Sequence, residues 1–181
     1  MMKWLRENAY AAAALFVLRV YVGWQWLEAG WHKLTGANAF DAGGFIKGAI
    51  AKPIIDKATN EAVYPTFTAF LEHVALPNVK LFNVLIPLGE FCVGLGLILG
   101  CLTTTAAFFG LFMNFMFVFA GTVSTNPWLI LLGGVIFMAG ANAGKFGADF
   151  YVLPYLRKML QRLTHRGGDG TALTGKRHAH A

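Results

Sequence analysis

The sequence predicts an all-α membrane protein, a four-helix transmembrane bundle with a long outer loop that contains short interfacial helices. Three observations lead to this fold class. Of the 181 residues, 56% are hydrophobic and 13% are charged, whereas soluble domains average about 45–50% and about 25%. Four largely apolar segments approach the roughly 20 residues that cross a bilayer. Glycine (21 residues) and phenylalanine (16 residues) are abundant, and glycine is common in closely packed membrane helices.

The four predicted transmembrane segments cover residues 9–31, 82–100, 104–121 and 128–146. The start of the first segment is similar to a signal peptide. Its apolar run continues past Arg19 without a convincing cleavage site, which predicts a retained helix. Only three residues separate the second and third segments, so these two are expected to form a tight antiparallel hairpin.

The outer loop, residues 34–81, contains two half-apolar stretches at residues 40–51 and 65–75. The second has one apolar stripe at helical spacing, formed by Phe67, Phe70, Leu71 and Val74. Both stretches are predicted to be short helices that lie on the membrane surface or cap the bundle.

The positive charges predict the orientation. Nine Lys and Arg residues lie on the side that carries both termini, and five lie on the opposite side, namely Lys33 and four lysines of the outer loop. This asymmetry predicts a multi-pass protein of the cell membrane with both termini in the cytoplasm. A basic helix is predicted at residues 150–163, and a disordered tail follows at residues 164–181, so that one domain covers residues 1–163. No nucleic-acid motif accompanies the net charge of +6, so nucleic acid is not an expected partner.

Charged residues inside the membrane are candidates for function because burying them is costly. Arg19 and Glu90 lie near the middle of the first and second segments. Their estimated depths differ by roughly 6 Å, so an Arg19–Glu90 ion pair is predicted. The pair either fixes helix register or forms a polar site for a ligand or protons. Asn114, in the third segment, is expected in the same layer.

The first segment has polar residues on two faces, and the helix is therefore expected to be surrounded by protein. Arg19, Trp26 and Lys33 lie on one face. Glu28 and His32 lie on the other and are neighbours at spacing i,i+4 near the outer boundary. They form either an interfacial salt bridge or a proton relay. Trp26, with two other tryptophans, is either an interfacial anchor or the wall of a ligand site.

No residue pattern indicates a disulfide, a metal site or a nucleotide-binding site. Cys92 and Cys101 would lie on opposite faces of one helix, too far apart for a disulfide, and are predicted to be buried apolar residues. No metal site is predicted, and no phosphate-binding or dinucleotide-binding motif occurs.

Several short motifs resemble the DoxX/DoxD membrane family when taken in order. The first helix and its exit carry LRVYVG at residues 18–23 and GWHKL at residues 30–34. The second helix carries GEF at residues 89–91 and a turn, LGCLT, at residues 99–103. Asn142, Gly147 and Asp149 resemble the family's fourth-helix exit. The resemblance covers roughly residues 10–155.

The resemblance implies a membrane subunit that works with quinone, since DoxD-like proteins are associated with thiosulfate:quinone oxidoreductase, which oxidises thiosulfate to tetrathionate. By match to the motifs it implies roles for Arg19, Lys33 and Glu90. Three hypotheses remain open at this point. The first is a quinone-linked oxidoreductase subunit, with Arg19, Glu90, Glu28 and His32 as catalytic residues, with Trp26, Lys33 and Asn114 as ligand-binding residues, and with a second subunit docked on the outer loop. The second is a carrier of small solutes or lipids. The third is a structural or assembly protein.

Under the first hypothesis, the ligand site is expected between the first two helices. It would open toward the outer leaflet and be partly covered by the outer loop. Membrane lipid and quinone are then the expected small-molecule partners.

Overall fold

The computed structural model describes residues 2–166. This part of the chain is helical and contains no β-strand, apart from one isolated bridge between Ile55 and Ala62. The helices are α1 (Met2–Glu7), α2 (Ala9–Thr35), α3 (Gly43–Ala51), α4 (Pro65–Phe70), α5 (Val79–Leu99), α6 (Thr103–Phe119), α7 (Asn126–Ala139) and α8 (Asp149–Arg166). A π-helix, Leu71–Ala75, continues α4, and a 3₁₀-helix, Gly140–Gly144, continues α7.

Helices α2, α5, α6 and α7 overlap the four segments that were predicted to cross the membrane. Two helical stretches are long and apolar enough to do so by length and composition. They are Val79–Leu99, with a mean hydropathy of 1.9, and Asn126–Gly144, with 1.5. Helix α6 is apolar but shorter, and the apolar run of α2 is interrupted by Arg19 and Glu28. The structure thus has two candidate membrane-spanning helices, and four spans remain a prediction.

Local sequence explains where the main helices begin and end. The side chain of Asn8 caps α2 by accepting hydrogen bonds from the backbone N–H groups of Tyr10 (2.8 Å) and Ala11 (3.3 Å). This cap separates α2 from the short helix α1, which the sequence did not predict. Helix α5 ends at Gly100, which has a left-handed backbone (φ +63°) that suits glycine.

The larger hydrophobic core is shared by α2, α5, α6 and α7. Its buried members include Leu15 and Trp26 of α2, Leu97 of α5, Ala107 of α6 and Ile136 of α7. Helix α2 packs most extensively against α5, and α6 packs most extensively against α7. Helices α5 and α6 are adjacent in sequence but meet less closely.

A second core lies under the loop between α2 and α5. The buried side chains of Ile46 in α3 and Leu71 in the π-helix pack with Phe82 of α5. Both predicted short helices are therefore present, and they cover one end of the α5–α6 pair. Of the four residues of the predicted stripe, Phe70 and Val74 are exposed, at 39% and 46%. The π-turn rotates the stripe, so that Ala75 is buried instead.

Helix α8 begins at Asp149 and continues to Arg166. It is therefore longer than the basic helix predicted at residues 150–163, and residues 164–166, assigned to the predicted tail, are helical. The remainder of that tail, residues 167–181, lies outside the described residues.

Candidate functional site

The α2–α5 interface is closed by direct backbone contact. A β-carbon at Gly23 would lie 2.9 Å from the carbonyl oxygen of Gly94. One at Gly30 would collide with the backbone of Phe91, and one at Gly94 would collide with the backbone of Leu27. These three glycines let the two helix backbones touch, as small residues do in membrane bundles. The interface leaves no room for the ligand site that was expected there, so that expectation is wrong.

Arg19 lies at the end of this interface where α5 terminates, and the residue is 1% exposed. Its Nη1 donates hydrogen bonds to the carbonyl oxygens of Leu97 (2.5 Å) and Ile98 (2.8 Å), and Nη2 donates to that of Phe146 (2.8 Å). Leu97 and Ile98 lie in the last turn of α5, whose carbonyls lack partners within the helix. The C-terminal end of the α5 helix dipole is negative and also attracts a cation. Arg19 therefore caps α5 and joins it to the exit of α7.

The predicted Arg19–Glu90 ion pair is wrong. Glu90 accepts a hydrogen bond at 2.6 Å from Nζ of Lys33, and the two form a salt bridge. The reason is helix register. Gly30 packs against Pro87 and Phe91, which places Arg19 opposite the end of α5 rather than its middle. Side chains also lean toward the N-terminus of their own helix. This direction moves the Arg19 head group farther from Glu90 and brings the Lys33 head group toward it.

Lys33 and Glu90 form a largely buried polar contact. The Glu90 side chain is 3% exposed and that of Lys33 is 30% exposed. Nζ of Lys33 also lies 5.8 Å from the ring centroid of Phe40, at the start of the loop that follows α2. The pair therefore joins the end of α2 to the middle of α5 and to this loop.

A second set of polar contacts lies at the α5–α6 turn and the exit of α7. The carboxylate of Asp149 accepts hydrogen bonds from the backbone N–H groups of Leu102 (2.6 Å) and Thr103 (2.9 Å), so it caps the N-terminus of α6. Asn142 donates from Nδ2 to the carbonyl oxygens of Leu5 and Asn8. We call Arg19, Asn142 and Asp149 the inner clasp. It ties the α1–α2 junction, the α5–α6 turn and the exit of α7 together.

Glycines leave the space that the inner clasp needs. A β-carbon at Gly100 would lie 2.7 Å from the Arg19 guanidinium, and one at Gly147 would lie 2.8 Å from its Nη2. The glycine motifs around the α5–α6 turn and the α7 exit therefore make room for a buried arginine.

Two of the predicted ligand-binding residues are internal. Trp26 is 4% exposed and belongs to the larger core, where its Nε1 lies beside Gly110. It is therefore neither an interfacial anchor nor a wall of the expected cavity. Asn114 is 1% exposed, and its Oδ1 has no hydrogen-bond partner among the described residues. No described hydrogen bond joins Asn114 to Arg19 or Glu90, so the predicted common polar layer is not formed.

Glu28 and His32 lie side by side on the outside of α2. Nε2 of His32 is 3.8 Å from Oε1 of Glu28, and their side chains are 76% and 52% exposed, His32 first. The expectation that protein surrounds both faces of α2 is therefore wrong. The face with Arg19 packs on α5, whereas the face with Glu28 is open.

An apolar groove lies between α5 and α6, with a cavity volume of about 560 Å³. On the α5 side, the groove is lined by the small residues Gly89, Cys92 and Gly96. On the α6 side, Phe109, Phe112, Met113 and Met116 form the opposite wall. Phe67, Phe70 and Leu71 of the capping loop close one end, and Cys101 and Thr105 lie at the other. The groove therefore runs along most of both helices.

The groove changes the interpretation of the cysteines. Both are free, as expected from their separation. Cys92 is exposed and Cys101 is half-buried, and each lines the groove. The prediction that both are buried is therefore wrong for Cys92, because it lines the groove between α5 and α6.

Sequence reasoning missed the groove and the capping role of Asp149. A signal for the groove was available: Gly89, Cys92 and Gly96 form a small-residue strip on one face of α5, whose opposite face carries Glu90 and Gly94. The inner clasp was harder to predict from the sequence, because only the family resemblance pointed to Asn142, Gly147 and Asp149.

Comparison with known proteins gives one family. The model of the family named DoxX matches residues 14–124, which is more than half of the chain. This range includes Arg19, Lys33 and Glu90 but not Asn142 or Asp149. No curated protein and no solved structure matches the chain.

Proposed function

The chain belongs to the DoxX family of membrane proteins. From this membership we propose that it is the membrane subunit of a quinone-linked oxidoreductase. The subunit holds an isoprenoid quinone in the α5–α6 groove. The observation that carries the proposal is the groove itself. Its volume of about 560 Å³ is typical of small-molecule sites, which measure about 300–1,000 Å³ and are mainly apolar. A long, apolar, partly open slot suits the tail of a molecule that arrives from the bilayer.

The proposal includes four membrane spans, α2, α5, α6 and α7. These helices carry large apolar side chains on their outer surface as well as in the core. Val17 of α2, Leu81 and Val84 of α5, Phe112 of α6 and Leu131 of α7 are all more than half exposed. A helix that is apolar on all sides is typical of a membrane span. With four spans, the positive-inside rule supports cytoplasmic termini and a cell-membrane location.

The predicted site residues take two kinds of role in this proposal. Arg19 is a positioning residue, since its guanidinium holds the end of α5. Glu90 and Lys33 fix α5 against α2 from the side away from the groove. Glu28 and His32 do not line the groove; they are exposed on the open face of α2 and take no direct part in quinone binding in this proposal.

A narrower form of the proposal follows from the resemblance to thiosulfate:quinone oxidoreductase. A partner subunit docked on the outer loop would join two thiosulfate ions into one tetrathionate, which releases two electrons. The quinone would accept these two electrons and two protons to become the quinol. Lys47 and Lys80, both exposed on the side of the loop, would attract the sulfur oxyanion to that surface.

The direct test is to identify what the protein retains. The full-length protein is purified in mild detergent, and the lipid extract is analysed for isoprenoid quinone by absorbance and mass spectrometry. We expect quinone near one equivalent per chain, and we expect Gly89→Leu to reduce it strongly. The β-carbon at position 89 would lie 3.2 Å from Sδ of Met113, so a leucine side chain would fill the slot.

Gly134→Leu is the matched control, because Gly134 lies in α7, where a β-carbon has nothing within 4 Å. It should retain quinone at the wild-type level. A phospholipid recovered in place of quinone would favour the carrier hypothesis. Full retention in Gly89→Leu would contradict the groove as the quinone site.

A further inference from the structure

A second cavity, of about 470 Å³, lies beside the inner clasp, between α1, the 3₁₀-helix and the start of α8. Both candidate membrane-spanning helices end at this level. The stretch Asn126–Gly144 ends in the cavity wall at Gly144. The last residue of α5, Leu99, accepts a hydrogen bond (3.0 Å) from the N–H of Ala148, next to the wall residue Asp149. The cavity therefore lies at the depth where a bilayer's head groups begin.

The charged side chains that line this cavity are Arg6, Glu7, Lys145, Asp149 and Arg157. The carboxylate of Asp149 already accepts hydrogen bonds from the N-terminus of α6. Lys145 and Arg157 are exposed, and their side chains have no hydrogen bond or ion pair within the described residues. Arg6 donates from Nε to the carbonyl oxygen of Met138 (2.9 Å), and its terminal nitrogens make no described bond. Glu7 is the remaining carboxylate, so the available charge is positive.

Helix α8 extends the positive charge along the same surface. After Asp149 it has no acidic residue, and Arg157, Lys158 and Arg162 are exposed on it. Val152, Leu153 and Leu156 are half-buried on the opposite side. A helix with one apolar face and one basic face is typical of those that lie in a membrane interface.

Exposed aromatic side chains lie next to the cavity as well. Phe150, Tyr151 and Tyr155, in the first two turns of α8, are 65%, 77% and 70% exposed. Aromatic residues are enriched where head groups meet hydrocarbon. A soluble anion would leave these side chains in water, whereas a lipid would cover them.

We propose that this cavity binds the head group of an anionic phospholipid and that α8 lies in the interface around it. Lys145 and Arg157 contact the phosphate, the terminal nitrogens of Arg6 provide further donors, and the aromatic residues cover the upper acyl chains. The site is independent of the proposed quinone site, because the groove and this cavity share no lining residue.

The test uses the full-length protein in detergent with phosphatidylglycerol or phosphatidylcholine of the same acyl chains. Native mass spectrometry measures the fraction of protein that retains each lipid. We expect phosphatidylglycerol to be retained preferentially, and we expect the double variant Lys145→Gln/Arg157→Gln to reduce its affinity by roughly tenfold to thirtyfold, since each surface cation contributes about 1 kcal/mol to anionic-lipid binding.

Lys52→Gln/Lys57→Gln is the control, because it removes two exposed lysines from the outer loop and should leave retention unchanged. Thermal unfolding in detergent verifies that each variant is folded, and Arg157→Lys should keep most of the preference. Equal retention of both lipids by the wild type would overturn the proposal. So would an unchanged affinity in the double variant, or complete displacement of the lipid by millimolar inorganic phosphate.

Discussion

At the scale of single residues, Arg19 and Glu90 are two buried charges that are compensated in different ways. Glu90 has a charged partner in Lys33, whereas Arg19 binds three backbone carbonyls. Each arrangement compensates a buried charge, which is costly when it is left alone. The two charges share no partner, and this separation leads to the first prediction.

We predict that Arg19→Leu and Glu90→Gln destabilise the protein additively, to within about 0.5 kcal/mol. Lys33→Met and Glu90→Gln should instead be coupled, with the double variant less destabilised than the sum. Lys33→Met alone should be the worse of that pair, at a cost of about 3 kcal/mol, because Glu90 is 3% exposed and would lose the partner that compensates its charge. Lys33 is 30% exposed and can regain water. Denaturant unfolding in detergent measures all of these, and recovery of stability in Arg19→Leu/Glu90→Gln would contradict the separation.

A second prediction concerns Asp41, in the loop before α3. Hydrogen bonds from the Gly43 backbone N–H, first, and from the Asn83 side chain lower the pKa of Asp41 below its ordinary value of 3.8. A pKa that is lower in the folded state means that this contact stabilises α3 above pH 3.8 and is lost as the pH falls through the folded value. After correction for intrinsic rates, hydrogen exchange of the α3 amides should accelerate below pH 3.8.

Asp41→Asn is the control for this experiment. The asparagine oxygen can still accept the Gly43 hydrogen bond but does not titrate, so the acid-dependent step should disappear. A step of equal size in Asp41→Asn would assign the effect to another group.

At the scale of helices, α5 has two faces with opposite packing. The face with Gly94 touches the backbone of α2, and the face with Gly89 lies open beside α6. Glycine therefore allows close backbone contact at the α2–α5 interface and leaves space at the α5–α6 groove. What differs is the neighbour, which is backbone in one case and flexible methionine in the other.

We predict that Gly94→Ala destabilises the protein by roughly 1–3 kcal/mol or more, the usual range for overpacking, because its β-carbon would collide with the backbone at Leu27. Gly134→Ala, with nothing within 4 Å of its β-carbon, should have little effect. Thermal unfolding in detergent measures both. Equal stability of the two variants would contradict a backbone-to-backbone α2–α5 contact.

At the scale of the whole molecule, we predict that both termini face the cytoplasm and that the loop between α2 and α5 faces outward. In a variant without Cys92 and Cys101, single cysteines are introduced by Lys57→Cys in the loop and Lys3→Cys in α1. A membrane-impermeant thiol reagent added to intact cells should label position 57 and leave position 3 unlabelled until the cells are opened. Labelling of position 3 alone would reverse the predicted orientation.

Sequence reasoning identified the helices better than their contacts. Apolar runs and proline positions located α2, α5, α6 and α7, and the two short loop helices, because these signals are local. The partner of Glu90 was missed because it depends on register. The sequence estimate aligned the outer ends of two helices, whereas Gly30 and Gly94 set a different alignment. The α5–α6 groove was missed because a gap between two helices depends on what separates them, namely the core side chains and the loop that caps their end.

The inner clasp has a consequence for how the chain is assembled during synthesis. The α5–α6 turn contains Leu102, whose left-handed backbone (φ +51°) is unfavourable for a residue with a side chain. The carboxylate that accepts its N–H comes from Asp149, 47 positions later in the chain. When the ribosome has produced α5 and α6, this turn therefore still lacks its cap. The turn can acquire this cap only after α7 and its exit have been synthesised, so in a chain truncated before Asp149 the N–H groups of Leu102 and Thr103 should lack their carboxylate partner.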